Sequence, residues 1–406
     1  MTGGRMETRF VHAGSHPRRQ QGYVNPPVHR ASTVLYENVA EMAASQADPL
    51  KRAMPVYGRF GTPTTRAFEE ALADLERGHA AVTTCSGLSA ITTAILAYVR
   101  AGDHILVSDS VYVPTRKFCD SLAGLAVETE YYDPGAGAAI RDLIRPDTRL
   151  VYLESPGSTT FEVQNVPAIT EVCRSLGVVT VIDNTWATPA FCRPLELGAD
   201  VVVHSATKYL TGHADSILGA IVCTEESHAP VRQAAIRLGQ CAGADDAYLG
   251  LRGLRTLGVR MRHHHDQALE LARWAGEQEG VASVLHPALP GDPGHELWLR
   301  DFSGAAGLFG LELEPRFDSR SVDALLDRLR LFGLGHSYGG YESLIVPSDP
   351  VSHRLPGTWS ARGPLLRVHV GFEHLDDLKA DLGAALRAMH SDVVGHRRPE
   401  RPRTGQ

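Results

Sequence analysis

The chain has 406 residues, a formal net charge of -7 and 43% hydrophobic residues, enough to bury a large core in two domains. Its mild acidity and scattered Lys and Arg argue against a nucleic-acid or membrane-surface binder. No N-terminal segment has signal-peptide form and no apolar run reaches the length of a membrane span, so a cytoplasmic protein is expected.

Residues 1–60, with Asn25-Pro-Pro-Val and little periodicity, are expected to form an extended arm that crosses to a partner subunit. From 61 to 256, short apolar runs alternate with amphipathic segments, which predicts a mostly parallel sheet covered on both faces. Thr83 to Leu96 opens with the small-residue turn Ser86-Gly87-Leu88 and continues as an apolar helix. The free N–H groups and dipole at such a helix start suit a phosphate, and a glycine lets the backbone approach it. His104-Ile-Leu-Val and Leu150-Val-Tyr-Leu read as strands, and Val166 to Leu176 as an amphipathic helix. Tyr112 follows a strand, where its ring can stack on another flat ring.

Gly177-Val-Val-Thr-Val-Ile-Asp183 is a buried strand ending in an acid, and Val201-Val-Val-His-Ser205 is another, followed at once by Thr207 and Lys208. Adjacent parallel strands would bring Asp183 and Lys208 to one sheet edge. The chain from 257 to 395 begins with a long helix through His265 and Trp274. It continues with an alternating strand at Ala306 to Leu313 and a helix from Leu375 to Met389, which predicts a smaller α/β domain. The charged, Pro-rich segment 396–406 is expected to be disordered.

Two other features are assigned no chemistry. Adjacent residues of a helix point in different directions, so His263, His264 and His265 cannot share one ion; no metal site is expected, and their helix face should be solvated or at an interface. The six cysteines form no CxxC pair and are expected to be free, buried thiols of a reducing compartment; Cys85, beside the phosphate turn, is assigned to packing.

Either Asp183 or Lys208 alone would most often be a solvated loop charge; the set carries the reading. A lysine amine, a neighbouring-strand carboxylate, an anion cradle and an aromatic ring are together what pyridoxal phosphate requires. That cofactor is held covalently by a lysine, and its pyridine nitrogen is kept protonated by an acid.

Further segments carry a family resemblance: Tyr57-Gly-Arg59-Phe-Gly-Thr, Leu153-Glu-Ser-Pro-Gly-Ser158, Ile182-Asp-Asn-Thr-Trp-Ala187 and Ala206-Thr-Lys-Tyr-Leu210. To these are added Arg252-Gly-Leu-Arg-Thr-Leu-Gly-Val-Arg260, His286-Pro-Ala-Leu-Pro-Gly291, Gly339-Gly-Tyr-Glu-Ser343 and Leu366-Arg-Val-His-Val-Gly-Phe-Glu373. Over nearly its whole length the chain resembles the cystathionine beta-lyase branch of the Cys/Met-metabolism pyridoxal phosphate enzymes. The resemblance implies an α/β, aspartate-aminotransferase-like fold: a mostly parallel seven-stranded sheet covered by helices, an N-terminal arm and a smaller C-terminal α/β domain. It also implies a homotetramer, a dimer of dimers with active sites shared between subunits.

By the same resemblance, Lys208 binds the cofactor covalently and then serves as base, Asp183 partners the pyridine nitrogen, and Tyr112 stacks on the ring. The backbone N–H groups of Gly87 and Leu88 and the hydroxyls of Ser205 and Thr207 look like the phosphate cradle. Tyr57 and Arg59 look like the residues that reach the phosphate from a neighbouring subunit, with Tyr57 also near the substrate. Arg367 looks like the grip on the substrate's α-carboxylate, assisted by Ser337, with Ser158, His336 and Tyr338 shaping the pocket.

The implied reaction is β-elimination of L-cystathionine to homocysteine, pyruvate and ammonia, in methionine biosynthesis. Family enzymes of gamma type usually carry Ser-Pro-x-Asn where this chain has Ser155-Pro-Gly-Ser158, and Glu where it has His336; both differences favour the beta branch. The branch's usual Tyr-Ser-Trp-Gly-Gly reads His336-Ser337-Tyr338-Gly-Gly here. A lyase preferring cystine or another S-substituted cysteine, and a gamma-replacing synthase, therefore stay open.

Overall fold

Two β-sheets organise the computed structural model, which describes residues 4–360 and 362–396. The larger contains β1 (Ala80–Thr84), β2 (His104–Ser108), β3 (Glu128–Tyr132), β4 (Thr148–Glu154), β5 (Val179–Asp183), β6 (Val201–Ser205) and β7 (Gly219–Cys223), in the order β1-β7-β6-β5-β4-β2-β3. The β1–β7 and β7–β6 pairs are antiparallel; the pairs from β6 through to β3 are parallel. The smaller sheet is antiparallel, β10 (Leu344–Ser348), β11 (Leu365–His369), β9 (Leu308–Leu313), β8 (Val281–Leu285).

The central parallel strands are mostly apolar because helices cover both faces, whereas the edge strand β3 reads Glu128-Thr-Glu-Tyr-Tyr132 and is buried only at its end. Alternate side chains then enter different cores. Val107, Val181, Val203 and Ile221 pack with Ile91 and Ile95 of the helix Gly87–Leu96. Leu106, Val151, Ile182 and Val202 join Phe68 and Leu72 of the helix Pro63–Glu76 on the other face. That second helix is started by Thr62 and Thr65, each hydroxyl accepting the other's backbone N–H, with Pro63 in its first turn.

Several sequence expectations need correction. Residues 4–60 are not a simple extended arm: they form the helices Met6–His12 and Val39–Ala47. Phe10 is buried against Gly258, where an added Cβ would stand 2.8 Å from its ring, so the chain's start packs on its own core. His264 is not on a solvated face, because the helix Leu257–Gly276 turns Met261, His264, Ala268 and Leu271 inward. Its Nδ1 lies 2.9 Å from the carbonyl of Val370. Cys119, Cys173, Cys192 and Cys223 are buried, but Cys85 and Cys241 are exposed. The strand expected at 306–313 begins at Leu308 and is buried on both sides, Glu312 included. Its carboxylate accepts from the Ser283 hydroxyl at 2.6 Å and from the Arg362 N–H. The disorder expected at the C-terminus falls, from 397 onward, outside the described residues.

Phe68 is fully buried and lies against Gly250, where an added Cβ would be 2.9 Å from its ring. Phe68→Ala is expected to lower the unfolding free energy by about 3–5 kcal/mol, read as an earlier urea midpoint with an unchanged slope.

Candidate active site

A cavity of about 410 Å³ opens where β4, β5 and β6 end, facing the start of the helix Gly87–Leu96. Parallel register assembles its floor. Glu154 stands opposite Asp183 across β4 and β5, and Asp183 stands opposite Val203 across β5 and β6. Thr185 braces both strand ends: its N–H donates to Asp183 Oδ1 at 2.8 Å, and its Oγ1 accepts the Ser205 N–H at 2.8 Å. Lys208 follows in a tight turn, its own N–H donating to the Ser205 carbonyl at 3.0 Å. The buried Arg260 holds the far side of that turn through the Tyr209 carbonyl at 2.7 Å.

The half-buried Lys208 points at the smaller sheet. Its Nζ donates to Ser337 Oγ at 2.8 Å and lies 5.1 Å from the centre of the Tyr338 ring. Burial, and then the Arg367 charge, push the amine down to about 8. Arg367, on β11, donates from Nη2 to the Ser337 carbonyl at 3.3 Å. Burial lowers its own pKa from the ordinary arginine value.

The acids move the other way. Burial raises Asp183, and burial reinforced by the Asp183 charge raises Glu154 well above the usual carboxylate range. Glu154 Oε2 accepts the Tyr112 N–H at 2.7 Å, which fixes the turn carrying that half-exposed tyrosine. Among the described residues no basic side chain is ion-paired with either acid.

At the opposite wall, Ser86 caps the helix Gly87–Leu96 by accepting the Ser89 N–H at 3.1 Å. The N–H groups of Gly87 and Leu88 precede the first intrahelical bond, from Ala90 to Ser86, and are left for a ligand. A Cβ on Gly87 would sit 2.5 Å from both Cβ and Oγ of Ser205, so only glycine lets the helix start meet the β6 end.

Lys208, Asp183, Tyr112, Gly87, Leu88, Ser205, Thr207, Ser158, His336, Ser337, Tyr338 and Arg367 thus share one cavity. Thr207 is partly committed elsewhere, its Oγ1 accepting the Leu218 N–H at 2.9 Å and lying 3.2 Å from the Leu218 carbonyl. Tyr57 and Arg59 do not line the cavity of their own chain; both are exposed, and Arg59 Nη1 donates to the Ile236 carbonyl at 3.4 Å. Glu154 and Thr185 were assigned no role from the sequence, nor were Phe161 and Trp186, which supply apolar wall. Glu154 had a readable signal, an acid ending an apolar strand as Asp183 does.

The sequence model for the Cys/Met metabolism PLP-dependent enzymes matches residues 7–387. The chain belongs to this family of enzymes. It is 40% identical over 390 residues to the cystathionine beta-lyase MetC of Escherichia coli K12, covering 95% of this chain and 98% of that one. It is also 38% identical over 391 residues to an L-alanine/L-glutamate racemase of Wolbachia pipientis wMel, covering 94% and 96%. A solved cystathionine gamma synthase of Xanthomonas oryzae pv. oryzae, in complex with aminoacrylate and cysteine, superposes with a TM-score of 0.86 at 32% identity, covering 96% and 99%.

The cavity fits the family's pyridoxal phosphate on its own chemistry. It offers a helix start that a Cβ would obstruct, a buried acid, Asp183, with no basic ion-pair partner among the described residues and so suited to a cationic ring nitrogen, and an amine partly neutral near pH 8.

Three outcomes are expected. Gly87→Val places carbon against Ser205 and should lower bound cofactor, read as visible absorbance per chain, by at least about tenfold, as 1.4 kcal/mol of lost binding would do. In cofactor-free protein Lys208 should react with trinitrobenzenesulfonate with a midpoint near pH 8 instead of the ordinary 10.5. Arg367→Leu removes a cation that disfavours the ammonium, so the midpoint should move upward.

Proposed function

We propose that the protein is a carbon–sulfur β-lyase that converts L-cystathionine to homocysteine, pyruvate and ammonia. The observation that carries this reading is Lys208 Nζ, an amine with a lowered pKa held by Ser337 in the same cavity as Arg367 and Asp183.

Bound pyridoxal phosphate supplies an electron sink for a carbanion at the substrate's Cα. Gly87, Leu88, Ser205 and Thr207 would hold its phosphate, Tyr112 its ring face, and Asp183 the proton on its ring nitrogen. Arg367 takes the α-carboxylate in its planar fork, which fixes the Cα–H bond relative to Lys208. The neutral Lys208 amine removes that proton as general base. Burial below pH 8 would cost the amine its proton only partly, so proton removal strengthens as pH rises toward and past that value. A thiolate then leaves Cβ, with Ser158, His336 and Tyr338 shaping the space for it.

The beta outcome is supported by Ser158 and His336, where gamma enzymes usually carry Asn and Glu, and by the higher identity to a beta-lyase than to the solved gamma synthase. His336 and Tyr338 favour a second reading, in which another S-substituted cysteine is the better substrate. The racemase relative favours a third measurement, since an amine that removes the Cα proton also stands ready to return one.

The reading includes a cytoplasmic homotetramer, a dimer of dimers, in which Tyr57 and Arg59 complete a neighbouring chain's site. Their exposure outside their own cavity supports this, as do the exposed Tyr23, Val24 and Leu35 on the same segment. Free cysteines throughout support a reducing compartment, and no described helix is long and apolar enough to cross a membrane.

The test is release of pyruvate and free thiol from purified holoenzyme given L-cystathionine, L-cystine and S-alkyl cysteines, with D-alanine formation from L-alanine read in parallel. Cystathionine should be cleaved fastest; pyruvate from no substrate would overturn the lyase. Lys208→Ala should lower kcat by about 10²–10⁴-fold. Arg367→Leu should raise KM by roughly 10–100-fold, as expected for losing a charge-assisted hydrogen bond.

A further inference from the structure

Arg354 lies on the loop between β10 and β11 and does not line the cavity that holds Lys208, yet its side chain is only 6% exposed. Its Nε donates to Asp109 Oδ2 at 2.7 Å, while Nη1 donates to Glu162 Oε1 at 2.6 Å and to Thr160 Oγ1 at 2.9 Å. Asp109 is fully buried and is also held by the Leu355 N–H at 3.0 Å, the Thr358 hydroxyl at 2.6 Å and the guanidinium of Arg116. Two arginines thus balance two acids beside a second cavity, which Asp109, Arg116 and Arg354 line together with His336.

Each acid begins or ends a segment of the cavity wall. Asp109 opens the turn that carries Tyr112, and Glu162 closes the loop that carries Ser158 and Phe161. The two segments also meet directly, the Ser158 N–H donating to the Ser110 carbonyl at 2.8 Å. A Cβ on Gly157 would stand 2.7 Å from Ser110 Cβ and 2.9 Å from Glu162 Oε2, so the contact leaves no room to slide. Phe161 has a φ of 60°, a left-handed conformation that a bulky residue keeps only where its surroundings impose it. The Glu162 carboxylate beside it is what Arg354 grips. β11, which carries Arg367, follows Arg354 in the chain.

We infer that Arg354 is a positioning residue for the reaction, a clasp that holds the Tyr112 turn and the Ser158–Phe161 loop in register with the strand carrying Arg367. Its fork spans acids from two segments, which a lysine's single ammonium cannot do. The choice of substrate in the test rests on the β-lyase reading, but the clasp itself serves any amino acid that Arg367 grips.

The test compares holoenzyme carrying Arg354→Met, Arg354→Lys or Glu162→Gln with the parent, by hydrogen–deuterium exchange and by steady-state kinetics on whichever substrate the parent turns over. Arg354→Met should speed exchange in peptides covering 109–116 and 155–164 by roughly tenfold or more while leaving 201–208 unchanged. KM should rise by about tenfold with a smaller change in kcat, the pattern of lost ground-state positioning, and the cofactor's absorbance should be retained. Arg354→Lys should fall between Arg354→Met and the parent. Glu162→Gln, which leaves the Asp109 contacts in place and guards against an Arg354 variant that fails to fold, should loosen 155–164 alone. Unchanged exchange in both peptides, or lower activity that tracks only the folded fraction with KM unmoved, would overturn the clasp. Exchange requires no turnover, so failure of the lyase assignment would leave this test readable.

Discussion

In β4, β5 and β6 the backbone hydrogen bonds run in parallel register, and that register sets which side chains reach the cavity. Asp183 faces Glu154 on one side and the Val203–Ser205 segment on the other. A slip of one residue would turn Asp183 to the opposite face of the sheet. The slip is opposed on both faces at once, because Val181 and Ile182 belong to separate cores that would each be turned inside out. Thr185 closes the arrangement by bonding to Asp183 and Ser205 together.

Burial then acts on the groups so assembled. It drives the Lys208 amine and the Asp183 carboxyl in opposite pKa directions, yet each toward its neutral form. For the amine this is the form that takes a proton; for the acid it leaves a carboxyl whose ionisation depends on a cationic partner. The Arg367 charge adds to the effect on Lys208 across the join between the two sheets, so the amine's reactivity depends on how the smaller sheet is seated. Ser337 ties the same two groups, receiving from Lys208 on its hydroxyl and from Arg367 on its carbonyl.

Much of the site was legible where chemistry sits at the end of a periodic segment. Lys208, Asp183 and Gly87 interrupt apolar runs at points where a strand must end or a helix begin. Glu154 obeys the same rule, ending the apolar run of β4. Arg367 lies within an apolar strand and carried no signal of its own; only the family resemblance singled it out. His264 was hidden among identical neighbours, although its spacing from Met261, Ala268 and Leu271 is that of a buried helical stripe. The Val39–Ala47 helix had its start signal too: Asn38 caps it by accepting the Glu41 N–H at 2.9 Å.

The alternation of strands and helices, the polar residues that end them and the cofactor chemistry they imply are written in the order of residues, because these depend on neighbours a few positions apart. Contacts between distant segments come only with packing: Lys208 against Ser337 and Arg367, the opposed pKa shifts, and Arg354 on Asp109 and Glu162. Hydrophobic periodicity specifies which face of an element is buried. It says nothing of which polar group on another element will be waiting there, and that is set only when the two sheets pack.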